Sequence, residues 1–440
     1  MPGTVSSVRR LLLVVLLIVL AGCGISSVSR PGTTETTTPP AKPGDTVTKS
    51  LQDVERFWTG EFPKLAGGKK FRKVQGGYHP YTETTPPPDC GGQPGEYQPN
   101  AFYCPDGDFI AWDAQNLIPQ LQSDFGPLLV GVVFAHEYGH AIQVRLGQTD
   151  RPTVVLEQQA DCFAGAWLGD ALAGHSAAFQ KISSKQLDNT VAGLLMLRDQ
   201  PGTPAQDAGA HGNAFDRIRA LQDGVEQGAG KCATYDADNL PVTEVPFTSR
   251  ADAANGGDLP YDQAVTLLSQ DAQGYWERTF PQLAGKQWQD VQVDPFDGKA
   301  PSCRDADSTA AGAAFYCPSG DFIAFDNRQL GPSLYRRIGD NAVGMLLGDL
   351  FARAAQDRRG QSTKTKAGQL AVDCLAGSWT YDMLHRSDPT KGVTLSPGDL
   401  DEAVAALLAF GRAEEGSGPT AFDRIASYRN GVLQGLGACS

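Results

Sequence analysis

The sequence predicts an α+β fold built from two tandem, homologous, helix-rich domains, and three observations carry that expectation. A series of segments recurs: Ala101 to Asp113 returns as Ala314 to Asp326, Asp161 to Trp167 as Asp373 to Trp379, and Ala214 to Ile218 as Ala421 to Ile425. Apolar residues fall at helical spacing at Leu187, Val191, Leu194 and Leu195, and at Ala214, Ile218, Leu221 and Val225. Leu400, Val404, Leu407, Leu408 and Ala421, Ile425, Tyr428, Val432 repeat both stripes, which read as buried helix faces rather than cofactor sites. Between them, Asp108 to Asp113 alternates around aromatic and branched residues and reads as a short strand at the edge of a substrate cleft.

At the N-terminus, Arg9-Arg10 precedes the apolar run Leu11 to Leu20, too short for a comfortable membrane span and typical of a signal peptide over residues 1–22. The run ends in Leu20-Ala-Gly-Cys23, which resembles a bacterial lipobox, so that Cys23 would carry a lipid after cleavage. An uncleaved N-terminal anchor is the alternative. Either way the remainder is expected to be exported, and in the lipobox reading it is lipid-anchored to the outer face of the bacterial cell membrane. Residues 23–48 are Ser, Thr, Pro and Gly with almost no large apolar side chain; such a segment cannot bury enough surface to order itself and reads as a tether. The first domain then spans 49–235, a stretch rich in Asp, Gly, Pro and Thr over 236–258 reads as a linker, and the second domain spans 259–440. Each copy is about 180 residues, an ordinary domain size.

The 440-residue chain carries a formal charge of −13 and no Lys/Arg-rich run. That balance argues against a nucleic-acid partner and against electrostatic attachment to a membrane. Apart from Cys23 there are eight cysteines, four per copy: Cys90, Cys104, Cys162 and Cys232, then Cys303, Cys317, Cys374 and Cys439. An even set in an exported chain points to disulfides, and four cysteines allow three connectivities per copy. The preferred pairs are Cys90–Cys104, across a Gly/Pro-rich loop, and Cys162–Cys232. Structural zinc is the competing use, but no two cysteines have the C-x₂-C spacing.

The chemistry is concentrated in Phe134-Ala-His-Glu-Tyr-Gly-His140 and in Leu156-Glu-Gln-Gln-Ala-Asp161. His136 and His140 are four apart, so a helix stacks them on one face, where two imidazoles supply two ligands of a tetrahedral zinc. Glu137 sits between them, positioned as a general base toward zinc-bound water. A catalytic zinc needs a third protein ligand and an open position, and Glu157, on a second helix, is the candidate. Asp161, one turn further along that helix, can accept the free N–H of a ligating imidazole, His136 in the first instance. Two solvated histidines on a surface helix would be the bland reading of the first segment alone; the second segment weakens it.

HEYGHAIQ followed by EQQADCFAGAW resembles the putative neutral zinc metallopeptidase family of bacterial envelope proteins, with the ligand logic of gluzincins. The resemblance covers roughly residues 55–230 and includes Phe102-Tyr-Cys-Pro105 and His211-Gly212 with Arg217. It implies a zincin-like fold, zinc at His136, His140 and Glu157, Glu137 as base, and a peptide or protein substrate. His211 is a candidate catalytic auxiliary that hydrogen-bonds a developing oxyanion. Its plainer reading is a turn residue capping the helix that starts near Asn213. Tyr138 points off the ligand face and reads as packing; His79, His175 and His385 read as surface residues.

In the shared frame the second copy has Asp349 opposite His136, Leu350 opposite Glu137, Arg353 opposite His140 and Gln369 opposite Glu157, and His211 has no counterpart. Asp373, the cysteines and the Trp persist. The second copy is therefore expected to be a degenerate domain without the zinc site, with Asp349 and Arg353 close enough to pair. The expected activity is hydrolysis of peptide bonds by a zinc-dependent envelope enzyme. The alternative is a non-enzymatic envelope scaffold made of two peptidase-like domains.

Overall fold

The computed structural model describes residues 42–439, apart from 206, 208, 209, 244, 309–312, 387 and 411–417. The expected signal peptide, Cys23 and nearly all of the tether lie outside the described residues. Among the described residues no helix is long and apolar enough to cross a membrane. Order begins earlier than the composition indicates. Helix α1 spans Pro43–Leu65, with Thr46 and Val47 buried, so the segment expected to be tether through residue 48 is helical from 43.

The architecture is α+β, as expected. After α1 the first half runs β1 (Gly77–Tyr81), β2 (Ala101–Cys104), β3 (Phe109–Asp113), α2 (Leu117–Phe125), α3 (Pro127–Leu146), α4 (Thr153–Leu172), α5 (Ser184–Met196) and α6 (Ala214–Cys232). A short helix α7 (Arg250–Ala254) lies in the connecting segment. That segment is packed rather than loose, since Leu240 and Thr243 within it are buried. The second half repeats the order: α8 (Tyr261–Ala284), β4 (Gln292–Phe296), the added two-residue β5 (Asp307–Ser308), β6 (Ala314–Cys317), β7 (Phe322–Asp326), α9 (Leu330–Arg337), α10 (Asp340–Arg358), α11 (Lys366–Leu384), α12 (Asp399–Phe410) and α13 (Ala421–Gln434).

The strand expected over Asp108 to Asp113 forms as β3, at the centre of its sheet. β3 pairs in parallel with β1 and antiparallel with β2, giving the order β1-β3-β2, and all five of its residues are buried. The second sheet is ordered β4-β7-β6-β5.

Helices α3 and α4 are apolar nearly all round, the pattern of fully buried helices. Two close approaches set their positions. A Cβ on Gly139 would lie 2.8 Å from Ala160 Cα, so only glycine lets α3 approach α4 there. A Cβ on Gly224 would lie 1.9 Å from Cys162 O, so α6 lies directly against α4, and Gly431 repeats this against Cys374 O at 2.1 Å. The disulfides lock the same arrangement. Cys90–Cys104 and Cys162–Cys232 form as preferred, and Cys303–Cys317 and Cys374–Cys439 match them. In both halves the Trp of the repeated motif donates its indole N–H to an aspartate of the first helix: Trp167 to Asp53 at 3.0 Å, and Trp379 to Asp271 at 2.8 Å.

The halves share a core. One contiguous cluster of buried apolar side chains runs through both, and Phe215 meets Tyr428 edge-on across the junction. Buried polar contacts join them too. Arg429 donates to Arg219 O and to Gln222 Oε1, each at 3.2 Å, and Gln222 Nε2 donates to Phe422 O at 2.9 Å.

Candidate metal centre

α3 carries the first cluster of functional side chains and α4 the second, and the Gly139–Ala160 contact holds the two helices close enough for the clusters to meet. His136 Nε2 lies 3.1 Å from His140 Nε2 and 3.2 Å from Glu157 Oε2, and His140 Nε2 lies 3.5 Å from Glu157 Oε1. Ligand atoms roughly 2.0–2.2 Å from a common centre at tetrahedral angles would stand about 3.3–3.6 Å apart. Glu157 Oε2 is buried and accepts no hydrogen bond, although an imidazole nitrogen is within reach. The three side chains therefore converge on a shared point rather than on one another, and their two nitrogens and one carboxylate suit zinc.

The surroundings orient each ligand. His136 Nδ1 is 2.7 Å from Asp161 Oδ1, the pairing expected from the sequence. Arg217, on α6, grips the same carboxylate through Nε to Oδ2 at 2.8 Å and Nη2 to Oδ1 at 3.0 Å, and its Nη1 donates to Leu197 O. His140 Nδ1 meets Gln143 Oε1 at 3.0 Å, and the Gln143 amide donates to Leu156 O at 2.6 Å. Glu137 is buried between the histidines, and its Oε2 accepts the backbone N–H of Tyr103 from β2 at 2.9 Å.

Electrostatics follow from these contacts. Burial opposes charge on His136, but Asp161 and Glu157 outweigh it and push its pKa up to about 10. A bound cation would displace that proton. Burial also opposes charge on Glu157, and His140 and His136 outweigh it, holding the carboxyl down at about 2. Burial raises Glu137 above the usual carboxylate range. Asp161, despite complete burial, is held well below that range by Arg217 and His136.

His211 lines the same cavity as His136 and Glu137, half exposed, with Nδ1 3.5 Å from Asp199 Oδ1. Asn213, not His211, caps α6, its side chain accepting from Asp216 N. Tyr138 is fully buried as expected, yet its hydroxyl also hydrogen-bonds Glu55 Oε1 at 3.0 Å. Sequence reasoning assigned no role to Gln143, to the Tyr103 N–H or to the Arg217 clamp. Gln143 lies three residues from His140 on the ligand face, a spacing that could have exposed it; the Tyr103 contribution comes from the backbone and leaves no such trace.

The cavity beside the centre holds about 170 Å³ and presents Leu117, Leu121, Val132, Val133, Leu194 and Leu197 opposite the polar groups. A larger cavity of about 550 Å³ lies in the second half, away from this chemistry. At the equivalent position of that half, Arg353 Nε pairs with Asp349 Oδ2 at 2.7 Å, as expected, and its Nη1 reaches Asp307 Oδ1 at 2.7 Å. Arg424 holds Asp373 there as Arg217 holds Asp161.

The chain is 29% identical over 180 residues to the uncharacterized protein Rv2575 of Mycobacterium tuberculosis, covering 34% of this chain and 59% of that relative. An uncharacterized protein of Mycobacterium bovis matches equally. The uncharacterized protein YpfJ of Escherichia coli is 27% identical over 212 residues, covering 42% of this chain and 69% of the relative. The chain thus spans about three fifths of the length of the mycobacterial relatives. No solved structure matches the chain. Residues 17–235, which contain the whole centre, match the family described as putative neutral zinc metallopeptidase.

Proposed function

We propose that the chain is a zinc-dependent peptidase of the bacterial cell envelope, with His136, His140 and Glu157 as metal ligands. The observation that carries this reading is the convergence of those three side chains with Glu137 buried between the histidines. Bound zinc supplies a Lewis acid that polarises a carbonyl and lowers the pKa of water. Glu137, held by Tyr103 N–H at Oε2, takes the proton of the attacking water at Oε1 and returns it to the leaving amine. Asp161 and Arg217 keep the His136 ring aimed at the ligand point, and Gln143 does the same for His140. His211, on the cavity wall, donates to the oxyanion. The apolar lining next to Glu137 favours a substrate with an apolar side chain beside the scissile bond.

Export and lipid attachment at Cys23 belong to the same reading. They are supported by the Leu20-Ala-Gly-Cys23 pattern and by four disulfides, which persist in an oxidising compartment. The test combines metal analysis with cleavage of an unbiased peptide library. About one zinc per chain and library cleavage are expected, with zinc lost in His136→Ala and retained in Glu137→Gln while cleavage disappears. Wild-type cleavage by Glu137→Gln would remove Glu137 as the base.

A further inference from the structure

Four carboxylates of the connecting segment and second half gather at the N-terminus of α10. Asp258 arrives on the segment after α7, Asp340 opens α10, and Asp399 and Glu402 come from the first turn of α12. Oxygens of Asp258, Asp340 and Glu402 lie within 4.8 Å of one another. Among the described residues no Lys, Arg or His pairs with any of the four. Backbone donors account for part of the cluster: Leu259 N to Asp340 Oδ2 at 2.8 Å, Asn341 N to Glu402 Oε2 at 2.9 Å, and Ser396 N to Asp399 Oδ2 at 2.7 Å. Among the buried oxygens of the cluster one has no partner. Asp340 is only 6% exposed, and its Oδ1 is buried without a hydrogen-bond partner.

We propose that Asp258, Asp340 and Glu402, backed by Asp399, form a second metal site for a hard divalent cation, calcium in the first instance, separate from the candidate zinc centre. An all-oxygen donor set selects calcium or magnesium over zinc. Oxygens within 4.8 Å of one another can close around an ion with ligands at roughly 2.3–2.6 Å, the distances calcium takes. The ion has a way in, because Gly257, Leu259, Asp340, Asn341 and Asp399 line the 550 Å³ cavity. Among the described residues the first half has no equivalent cluster. Pro127 opens α3 where Asp340 opens α10, and Gln186 and Asn189 stand where the Leu187–Leu400 correspondence sets Asp399 and Glu402. A cation here would tie the connecting segment and α12 to α10.

The test uses the full soluble chain loaded with zinc, titrated with calcium chloride by calorimetry and melted with and without calcium. One calcium per chain and a rise of several degrees in Tm are expected. Glu402→Gln and Asp258→Asn should each weaken calcium binding at least tenfold and cancel the rise, with zinc content unchanged. Should Glu402→Gln fail to fold, Asp258→Asn, on the half-buried connecting segment, gives the same readout. No calcium uptake by the wild type from a few millimolar calcium, or undiminished uptake in Asp258→Asn, overturns the site and leaves shared protons as the neutralising device.

Discussion

Asp161 holds His136 Nδ1 at 2.7 Å with one oxygen while its other oxygen takes Arg217 Nε at 2.8 Å, so a single buried carboxylate couples His136 on α3 to the first turn of α6. Such partners fix the tautomer and aim of a ligating imidazole, and losing one typically costs 10–100-fold in metal affinity. Asp161→Asn should weaken zinc binding by about that factor in a chelator competition, with the fold retained. Unchanged zinc affinity would reduce Asp161 to packing.

The Cys162–Cys232 bond closes a loop of 70 residues, from α4 to the end of α6. In the chain-entropy model a loop of that length stabilises by roughly 4–5 kcal/mol. Replacing both cysteines by Ala should lower stability by a few kcal/mol in denaturant unfolding. Replacing Cys90 and Cys104, whose loop spans 14 residues, should cost less. The reverse order would point to native-state strain rather than loop closure.

What could be read in the sequence was whatever a helix period makes local. His136 and His140 are one turn apart, Glu157 and Asp161 are one turn apart, and each pair had to share a face. The meeting of the two faces depended on Gly139, whose role is a close approach that no spacing rule reports. β1 escaped detection because Pro80 interrupts it and because it pairs in parallel with β3 across more than 25 intervening residues. The shared core was hidden for a related reason. Helical stripes identify a buried face but not the helix that covers it, so Arg429 and Asp401 looked like ordinary polar residues of a separate domain.

The carboxylates at the head of α10 predict a pH dependence. Burial, reinforced by their mutual repulsion, pushes Asp340 up to about 6 and Glu402 up to about 10. Raised folded pKa values mean that the folded state keeps protons the unfolded chain releases. The resulting stability is fully present below the ordinary carboxylate pKa and is lost as pH rises through the folded values. In calcium-free buffer Tm should therefore fall between about pH 5 and about pH 8, and Glu402→Gln should flatten the slope. An equally steep slope in that variant would assign the titration to other groups.

Asp401 provides the strongest argument that the second half serves the first. From α12 it accepts the Phe215 N–H at 2.9 Å through Oδ1 and pairs with Arg198 Nε at 3.0 Å through Oδ2. Phe215 lies two residues before Arg217, which clamps Asp161 and thereby His136. Arg198 adjoins Asp199, whose Oδ2 accepts the Gly212 N–H at 2.7 Å and whose Oδ1 faces His211. One carboxylate of the second half thus holds Arg198 and Phe215, on either side of His211 in the sequence, and His211 lines the cavity beside the candidate metal centre. Asp401→Ala removes the acceptor of the Phe215 N–H and the ion-pair partner of Arg198, and the lost hydrogen bond to a charged group alone is on the order of 1.5–3 kcal/mol. If part of that energy positions His211, turnover of the best library peptide should fall about tenfold while zinc content stays at one per chain. Amide exchange across residues 198–215 should quicken, a readout independent of any substrate. A lower Tm with exchange and turnover both unchanged would make Asp401 a purely structural contact and would leave the second half without a part in the chemistry.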